Sequence, residues 1–369
     1  MNKKSFFGNV ILLFVLSRVF FLVCANLAPN ITDVDNGYLG KRVAQGEPHF
    51  IWELANLDGE HFIKVATKGY SGTEFAYLPL YPITIGLVSR VTTLTPIYSG
   101  ILVSIVSTVL AIYFITKLLV FERDRSSHET LLLLFFFPFS FILNSVYADA
   151  LFLFLTTASF YYARKKNWWI SGTFAFAASL TRFSGLALFP ALIFEWWLQN
   201  GKPKFSIVIA PLLNFGGFFV YTLLLQINYG NWLLFQVSMR AWKQEKFISV
   251  LQVFFRYIKI FGSVSPNLLV YWVAVMEFFS FILYFVLAIY VYKKIRASYG
   301  VFMMVLLVLV SFTGTFAGTP RYLVHLFPAY FGLAKILNDH PRLRYIYYPA
   351  TIALGVILTA LFTQGHFVG

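Results

Sequence analysis

Three side chains able to accept or donate protons, Asp58, Glu60 and His61, fall within four residues near the start of the chain. Apolar residues at helical spacing follow them and Gly69 ends the pattern, which predicts a short amphipathic helix beginning at Asp58. An aspartate in that place either caps the free backbone N–H groups or acts as a catalytic carboxylate, and both interpretations stay open. Glu60 and Lys64 have the spacing of an i,i+4 ion pair.

Two arginines lie beside glycine or proline at the ends of apolar segments: Arg182 shortly before Gly185, and Arg321 directly after Pro320. A guanidinium group stays charged, and its fork of N–H donors matches phosphate oxygens, so both arginines are candidates for holding a phosphate. The alternative is that their side chains extend to lipid headgroups.

Four other ionisable residues fall within or at the ends of apolar segments, where an uncompensated charge is costly and often marks a polar cavity. They are Arg18, Asp149, Glu195 and Glu277. We interpret Glu195, which precedes two tryptophans, as a residue at the membrane interface. Glu277 either pairs with a cation such as Arg18 or has a function of its own.

The sequence contains no strong motif for a cofactor or a metal ion. Asp33 and Asp35 have the spacing of a carboxylate pair for a hydrated divalent ion, but two aspartates in a polar loop are a frequent coincidence, so we expect no metal site. The sequence has no HExxH, Gly-x-Ser-x-Gly, Walker A or GxGxxG pattern, which argues against ATP and nicotinamide cofactors. A single cysteine, Cys24, excludes an intrachain disulfide.

The composition of the 369 residues is that of a membrane protein, since 59% are apolar and only 12% are charged, against roughly 25% charged in a soluble domain. The net charge is +14, from 29 basic and 15 acidic residues. In so apolar a chain we expect that excess in cytoplasmic loops, and we expect no nucleic-acid partner.

Hydropathy and loop charge predict an all-α, polytopic integral membrane protein with about eleven transmembrane helices in one domain covering residues 1–369. Lys3 and Lys4 place the N-terminus in the cytoplasm, and the span count places the C-terminus outside. Among the expected spans are residues 6–28, 76–90 and 97–120, and a half-helix is expected near Pro138. Several spans are shorter than a bilayer requires, which suggests helices that stop at a cavity.

The same orientation predicts a long first extracytoplasmic loop, about residues 29–75, that carries the amphipathic helix along the membrane surface. Arg182, Arg321 and a second polar stretch, residues 228–266, fall on the same side, and that stretch includes Trp232 and Trp242. Basic clusters such as Lys202 with Lys204 fall on the cytoplasmic side. We place the protein in the cell membrane with its active site outside.

The first loop resembles that of the PIG-V family, the GPI mannosyltransferase II type of GT-C glycosyltransferase, and of its prokaryotic relatives. That family's approximate pattern is W-D-x-x-x-F, I-A-x-x-G-Y and F-A-F-x-P-x-[FY]-P. The chain has L-D-G-E-H-F over residues 57–62, V-A-T-K-G-Y over 65–70 and F-A-Y-L-P-L-Y-P over 75–82.

Later parts of the chain match further motifs of the family in the same order. The stretch 138–152, with Asn144, Tyr147 and Asp149, resembles P-x-x-x-F-x-x-x-x-Y-[ST]-E. The turn at Arg182 resembles T-R-x-x-G, and Arg321 with its neighbour resembles the late R-Y motif. Two departures stand out: Leu57 replaces the tryptophan of the W-D pair, and Asp149 replaces a glutamate.

The resemblance implies a GT-C-type helical bundle that moves a mannosyl or related hexosyl unit from a polyprenyl-phosphate sugar to an acceptor hydroxyl, with inversion. The polyprenyl phosphate leaves as a stabilised anion, so one base and a cationic clamp suffice and neither a general acid nor a divalent metal is required. Asp58 is the candidate base. The candidate substrate-binding residues are Glu60, His61, Tyr70, Tyr147, Asp149, Arg182, Arg321 and Tyr322.

The acceptor stays open among a glycolipid, a cell-wall polymer precursor and a protein side chain. The main alternative function is a transporter or flippase of lipid-linked sugars, which would also have many spans and buried charges. A transporter concentrates its key charges near the bilayer midplane, whereas the sequence places these charges at the outer ends of spans, beside one long loop. The enzyme interpretation is therefore preferred.

Overall fold

The computed structural model describes residues 3–36, 38, 48–122, 127–201 and 205–369. Within these ranges the chain forms helices and no strand, which confirms the all-α prediction. Its α-helices are α1 Lys3–Leu27, α2 His49–Trp52, α3 Asp58–Lys68, α4 Leu80–Thr92, α5 Pro96–Phe121, α6 Ser127–Phe135, α7 Asp149–Arg164, α8 Trp168–Thr181, α9 Leu188–Asn200, α10 Phe205–Tyr229, α11 Leu234–Ser238, α12 Val250–Ser263, α13 Leu269–Lys294, α14 Ala297–Ser311, α15 Thr319–Tyr322, α16 Phe327–Asp339 and α17 Arg344–Thr363.

Four helical segments of the described chain are long and apolar enough to cross a membrane. They are Asn9–Asn30, Pro96–Phe121, Leu269–Lys294 and Pro341–Thr363, and Ala297–Ser311 is a shorter apolar helix. Apolar side chains on their outer faces are exposed, as expected where lipid replaces water around a bundle. The chain is an integral membrane protein, and the total of about eleven spans stays a prediction.

The expected half-helix near Pro138 is present. Helix α6 has nine residues, and a 3-10 helix, Ser140–Asn144, follows it before α7 begins at Asp149. The irregular backbone between them is buried, so its polar groups need partners within the protein. The Val146 amide donates to the Leu54 carbonyl at 2.9 Å, and the Ser104 hydroxyl donates to the Ser145 carbonyl at 2.8 Å.

The segment expected to span the membrane at residues 76–90 forms a short helix that begins at Leu80. Helix α4 has 13 residues, short of the about 20 that a span needs. It packs along α3, where a Cβ on Gly86 would lie 3.3 Å from the Ala66 carbonyl oxygen. Helix α4 thus supports α3, and its crossing of the membrane stays a prediction.

Helix α7 separates two clusters of buried charge, because Asp149 begins it and Arg164 ends it, roughly 22 Å apart at 1.5 Å per residue. Glu195 belongs to the second cluster: it is fully buried and forms two 2.6 Å bonds with Arg296. Glu195 is therefore buried in the bundle and paired, and its place at the membrane interface stays a prediction. The expected basic pair Lys202 and Lys204 lies outside the described residues.

Helices α12 and α13 hold the loop between α14 and α15. The Tyr257 hydroxyl donates to Glu277 at 2.5 Å and accepts from the Phe316 amide at 3.0 Å. The Tyr284 hydroxyl donates to the Pro320 carbonyl at 3.1 Å. Glu277 thus pairs with a tyrosine, and the suggested pairing with Arg18 is wrong, since Arg18 donates to Asn144.

Candidate active site

Asp58 is the first residue of α3, and its carboxylate is held from two sides. Tyr77 donates its hydroxyl to Oδ1 at 3.0 Å, and the Arg321 Nη1 atom lies 3.1 Å from Oδ2. The N-cap position belongs to Leu57, which has φ 58° and no side-chain cap. The capping interpretation of Asp58 is therefore wrong. The positive φ of Leu57, strained for a residue with a Cβ, turns the chain so that Asp58 faces the bundle.

Asp149, the first residue of α7, is fully buried beside two arginines and a histidine. Its Oδ2 atom lies 2.8 Å from Arg182 Nη1, and its Oδ1 atom lies 3.1 Å from His325 Nδ1. Arg321 Nε lies 3.8 Å from the same Oδ1 atom. Asp149 and Asp58 therefore contact one guanidinium group, and the four charged side chains form a continuous row from Asp58 through Arg321 and Asp149 to Arg182.

Both arginines point into the protein. Arg321 lies over the ring of Tyr147, with Cζ 5.3 Å from the ring centroid, and Arg182 lies over Tyr322 at 5.5 Å. Their side chains are 11% and 16% exposed. The alternative in which they extend to lipid headgroups is therefore wrong for both residues. An arginine has five N–H donors, so each can bind an aspartate and still donate to a further anion.

Tyr147 fixes the start of α3 against the turn before α7. Its hydroxyl donates to the Asn56 carbonyl at 3.0 Å and accepts from the Asp58 amide at 3.2 Å. The two segments approach so closely that a Cβ on Gly59 would lie 3.3 Å from the Val146 carbonyl oxygen. Glycine at the second position of α3 therefore permits the contact that brings Asp58 near Asp149.

His61 lies one turn after Asp58 and is oriented by a buried carboxylate. Its Nδ1 atom lies 3.1 Å from Glu74 Oε1, which also accepts a 2.8 Å bond from Lys64. The sequence predicted Glu60 as the partner of Lys64, and the structure gives it Glu74. The His61 ring stacks on Tyr77 with centroids 4.8 Å apart. Asp58 and His61 thus contact the same tyrosine.

The surroundings set the ionisation of two loop residues. Burial alone would raise the pKa of Glu74, but hydrogen bonds from Lys64 and His61 outweigh burial and lower that pKa below its usual value. Burial raises the pKa of the Tyr77 phenol far above its usual value, and the charge of Asp58 adds to that effect. Glu74 therefore stays an acceptor for His61, and Tyr77 stays a donor to Asp58.

Most of the residues predicted for the site come together. Asp58, Tyr147, Asp149, Arg182, Arg321 and Tyr322 form one connected group, with His61 beside it. Glu60 lies half-buried in the first turn of α3. Tyr70 belongs to a neighbouring apolar cluster, because its ring stacks on Phe75 and its hydroxyl donates to the Tyr77 carbonyl.

Sequence reasoning missed three residues of the site: Glu74, Tyr77 and His325. Tyr77 could have been found, because it carries a hydroxyl where the family pattern has phenylalanine. His325 gave no such signal, yet it is fully buried against Asp149, and its Nε2 atom has no hydrogen-bond partner among the described residues. The aspartates of the Asp33–Asp35 pattern lie elsewhere, with Asp35 2.9 Å from His366.

Comparison with known families places this geometry in context. The mannosyltransferase (PIG-V) family matches residues 8–196, just over half of the chain. The chain belongs to that family. The matched part contains Asp58, Tyr147, Asp149 and Arg182, whereas Arg321 lies beyond it. This PIG-V family member carries the matched motifs on a helical chain with four helices long and apolar enough to cross a membrane among its described residues. A search of curated proteins finds no match.

Two solved structures of an oligosaccharyltransferase from Archaeoglobus fulgidus are similar to the chain. The apo form has 12% identity and a TM-score of 0.43, with 96% of this chain and 56% of that chain covered. The form tethered to an acceptor peptide has 13% identity and the same TM-score, with 96% and 55% covered. The chain thus spans little more than half the length of these two structures.

Proposed function

We propose that this PIG-V family member transfers a mannosyl or related hexosyl unit from a polyprenyl-phosphate sugar to an acceptor hydroxyl, with inversion at the anomeric carbon. The observation that supports the proposal best is the row of Asp58, Arg321, Asp149 and Arg182, in which one partly exposed carboxylate is followed by two largely buried guanidinium groups. Transfer from a phosphate-linked sugar needs a base for the acceptor and cations for the leaving phosphate.

In this proposal Asp58 is the base. Its carboxylate is 32% exposed, whereas Asp149 is fully buried, so Asp58 is the carboxylate that an acceptor can reach. Tyr77 donates to Oδ1 and Arg321 donates to Oδ2, so each oxygen of Asp58 keeps a lone pair for the acceptor hydroxyl. The hydroxyl proton passes to Asp58 as the oxygen attacks the anomeric carbon. The bond from that carbon to the phosphate oxygen breaks, and its electron pair stays on the phosphate.

Arg182 and Arg321 bind the phosphate. Asp149 lies between them and holds both, so their positions are set before the donor arrives and less ordering is needed on binding. Their remaining N–H donors are available for the phosphate oxygens, where they stabilise the negative charge that develops on the leaving group. The residues present supply these functions without a metal ion.

We further propose that the site faces the outside of the cell membrane and that the N-terminus is cytoplasmic. At the far end of α7, Arg164 is followed by the exposed Lys165 and Lys166, and α13 ends at Lys293 and Lys294. Short loops rich in lysine and arginine stay on the cytoplasmic side. The Asp149 end of α7, with Asp58 next to it, then lies outside.

The test is Asp58→Asn in the purified full-length protein, with Asp33→Asn as a matched change of an exposed aspartate in the same loop. Loss of the base is expected to lower the rate of hexosyl transfer from a polyprenyl-phosphate sugar by about 10²–10⁴-fold, and Asp33→Asn should leave it unchanged. Transfer by Asp58→Asn at nearly the wild-type rate would disprove the base assignment. A wild-type protein that moves lipid-linked sugar across liposomes but never transfers it would disprove the enzyme proposal.

A further inference from the structure

Helix α12 lies beside the bundle and is too short to cross a membrane. It has 14 residues, Val250–Ser263, which is about 21 Å at 1.5 Å per residue, whereas a span needs about 20 residues. One side of the helix packs on the protein. Val253 and Tyr257 are buried there, and the Phe254 ring stands edge-on to Phe278 of α13, with the centroids 5.5 Å apart. This side holds α12 against the bundle.

A second side of α12 is apolar and exposed. Leu251, Phe255 and Ile258 recur at i, i+4 and i+7, so they lie in one stripe along the helix. Their side chains are 82%, 63% and 60% exposed. Gly262 continues the stripe, and a Cβ at that position would meet no atom of the described residues within 4 Å. Because water around a continuous apolar stripe is unfavourable, this side needs an apolar cover.

The third side of α12 is polar. It consists of four exposed residues at helical spacing: Gln252, Arg256, Lys259 and Ser263. At about 100° per residue, the sides follow one another around the helix as bundle, exposed apolar stripe, polar stripe and bundle again. Each stripe runs the whole length of the helix. The boundary between apolar and polar surroundings is therefore parallel to the helix axis.

We infer that α12 lies flat in the membrane surface, with its exposed apolar stripe in the acyl chains of the bilayer and its polar stripe among the headgroups. A helix that crossed the bilayer would change its surroundings along its length, whereas stripes that run along the axis fit a helix lying in the plane. The cover is lipid because the stripe is continuous with the exposed side of α13, a helix long enough to span. At the junction the Phe261 and Tyr271 rings lie 6.1 Å apart, and Val270 and Trp272 beside Tyr271 are exposed.

Helix α12 also holds the loop that leads to Arg321. Arg256 Nη1 donates to the Gly314 carbonyl at 2.9 Å, and the Tyr257 hydroxyl accepts from the Phe316 amide at 3.0 Å. Contacts from one flat helix thus fix the height of this loop relative to the membrane surface. The phosphate of a lipid-linked sugar is confined to that surface. In a step that rests on the proposed function, α12 therefore keeps Arg321 at the depth of the donor phosphate.

The location of α12 can be tested with spin labels on introduced cysteines, because Cys24 is the sole cysteine and is buried. The full chain carries Cys24→Ala and is placed in nanodiscs of phosphatidylethanolamine and phosphatidylglycerol. Each label is then tested for collisions with oxygen, which concentrates in acyl chains, and with a nickel chelate, which stays in water. The labelled variants are Leu251→Cys, Phe255→Cys and Ile258→Cys on the apolar stripe, and Gln252→Cys and Lys259→Cys on the polar stripe.

We expect the three labels on the apolar stripe to show a ratio of oxygen to nickel collisions at least about threefold higher than the two labels on the polar stripe. Equal access of the chelate to all five labels would mean that water surrounds the helix. Spectral broadening between labels of two molecules would mean that a second copy covers the stripe. Immobilisation of the labels only after addition of a polyprenyl phosphate would mean that the donor chain covers it. Each of these three results would overturn the inference.

The link to Arg321 is tested by placing the same side chain on the two exposed stripes. Phe255→Gln removes an apolar anchor from the acyl chains and should raise the KM for a polyprenyl-phosphate mannose at least about threefold. Ser263→Gln changes the polar stripe and should leave that KM unchanged. Phe255→Leu keeps an apolar side chain and should stay close to wild type, which separates loss of the lipid contact from loss of folding. Equal donor KM values for Phe255→Gln and Ser263→Gln would overturn the link.

Failure of this inference is distinguishable from failure of the proposed function. The collision measurements use no sugar and no transfer step, so they locate α12 even if the protein transfers no hexose. Conversely, hexosyl transfer by a protein whose five labels all lie in water would overturn the inference about α12 and leave the glycosyltransferase proposal standing.

Discussion

Asp58 and Asp149 contact the same guanidinium group. Arg321 reaches Asp58 through Nη1 at 3.1 Å and approaches Asp149 through Nε at 3.8 Å. The partly exposed carboxylate and the buried one are thereby coupled, and they differ in their surroundings: Asp58 is accessible to solvent, and Asp149 holds the arginines.

Asp149→Asn is expected to damage both the reaction and the fold. The change leaves Arg182 and Arg321 without their shared counter-charge, and breaking a buried pair typically costs about 3–5 kcal/mol. We expect a transfer rate lowered more than about a hundredfold and a lower unfolding temperature. Asp149→Glu restores the residue of the family pattern and keeps the charge, so it should retain more activity than Asp149→Asn. Equal activity and stability of wild type and Asp149→Asn would contradict this account.

Tyr77→Phe tests the hydrogen bond to Asp58 separately from the stacked ring. The variant restores the phenylalanine of the family pattern and keeps the contact with His61, but it removes the donor to Oδ1. We expect kcat to fall about tenfold, since a bond to a charged group is lost, with donor KM little changed. Tyr77→Leu removes the ring as well and should also raise the acceptor KM. A larger loss in Tyr77→Phe than in Tyr77→Leu would rule out this division of roles.

Glu277 is expected to act as a positioning residue for Arg321. Its carboxylate accepts a hydrogen bond from the Tyr257 hydroxyl. That hydroxyl in turn accepts a hydrogen bond from the Phe316 amide, in the loop that leads to α15. Glu277→Leu removes the carboxylate that accepts from the Tyr257 hydroxyl and leaves that hydroxyl with Thr315 Oγ1, 3.0 Å away. The loop should then shift, and the donor KM should rise about tenfold or more. Glu277→Gln keeps an oxygen that can accept from Tyr257, so its donor KM should be close to that of the wild type.

A merely structural role for Glu277 would lower the amount of folded protein without changing the donor KM of the folded fraction. Tyr257→Phe provides a second check, because it breaks the same chain of hydrogen bonds from the other side. The effects of Glu277→Leu and Tyr257→Phe should therefore not add in the double variant.

The buried carboxyl group of Glu53 should make the stability of the folded protein depend on pH. Its side chain is 1% exposed, and neither oxygen has a hydrogen-bond partner among the described residues, although His49 lies 3.4 Å away. Burial raises the pKa of Glu53 from 4.5 to about 8. A raised carboxyl pKa means that the folded state binds more protons than the unfolded one. The stabilisation that the protonated Glu53 gives the folded state is therefore fully present below about pH 4.5 and is lost as the pH rises through about 8.

Glu53→Gln resembles the protonated acid at every pH. In thermal unfolding between pH 5 and pH 9, we expect the variant to match wild type at the acidic end and to be more stable at the alkaline end, by on the order of a few kcal/mol. Asp339→Asn, a change of an exposed aspartate, should track wild type throughout. A stability difference between Glu53→Gln and wild type that does not grow with pH would refute the assignment.

Local patterns in the sequence determined the helices and several site residues. The amphipathic helix was predicted to begin at Asp58 and to end at Gly69, and α3 does so, because apolar spacing and a glycine C-cap act within one segment. Arg182, Arg321 and Asp149 could be singled out because a charge beside an apolar run is costly wherever the run packs. Such signals need no knowledge of other segments.

The partners of those charges were decided only by the tertiary structure. Arg321 and Asp58 are 263 residues apart in the chain, and Glu277 meets Tyr257 where the sequence offered Arg18. Hydropathy reports that a segment is apolar but not which face meets which neighbour, so it did not show that α4 packs on α3. Ion-pair energy depends on distances between atoms, and those distances exist only after the helices have packed.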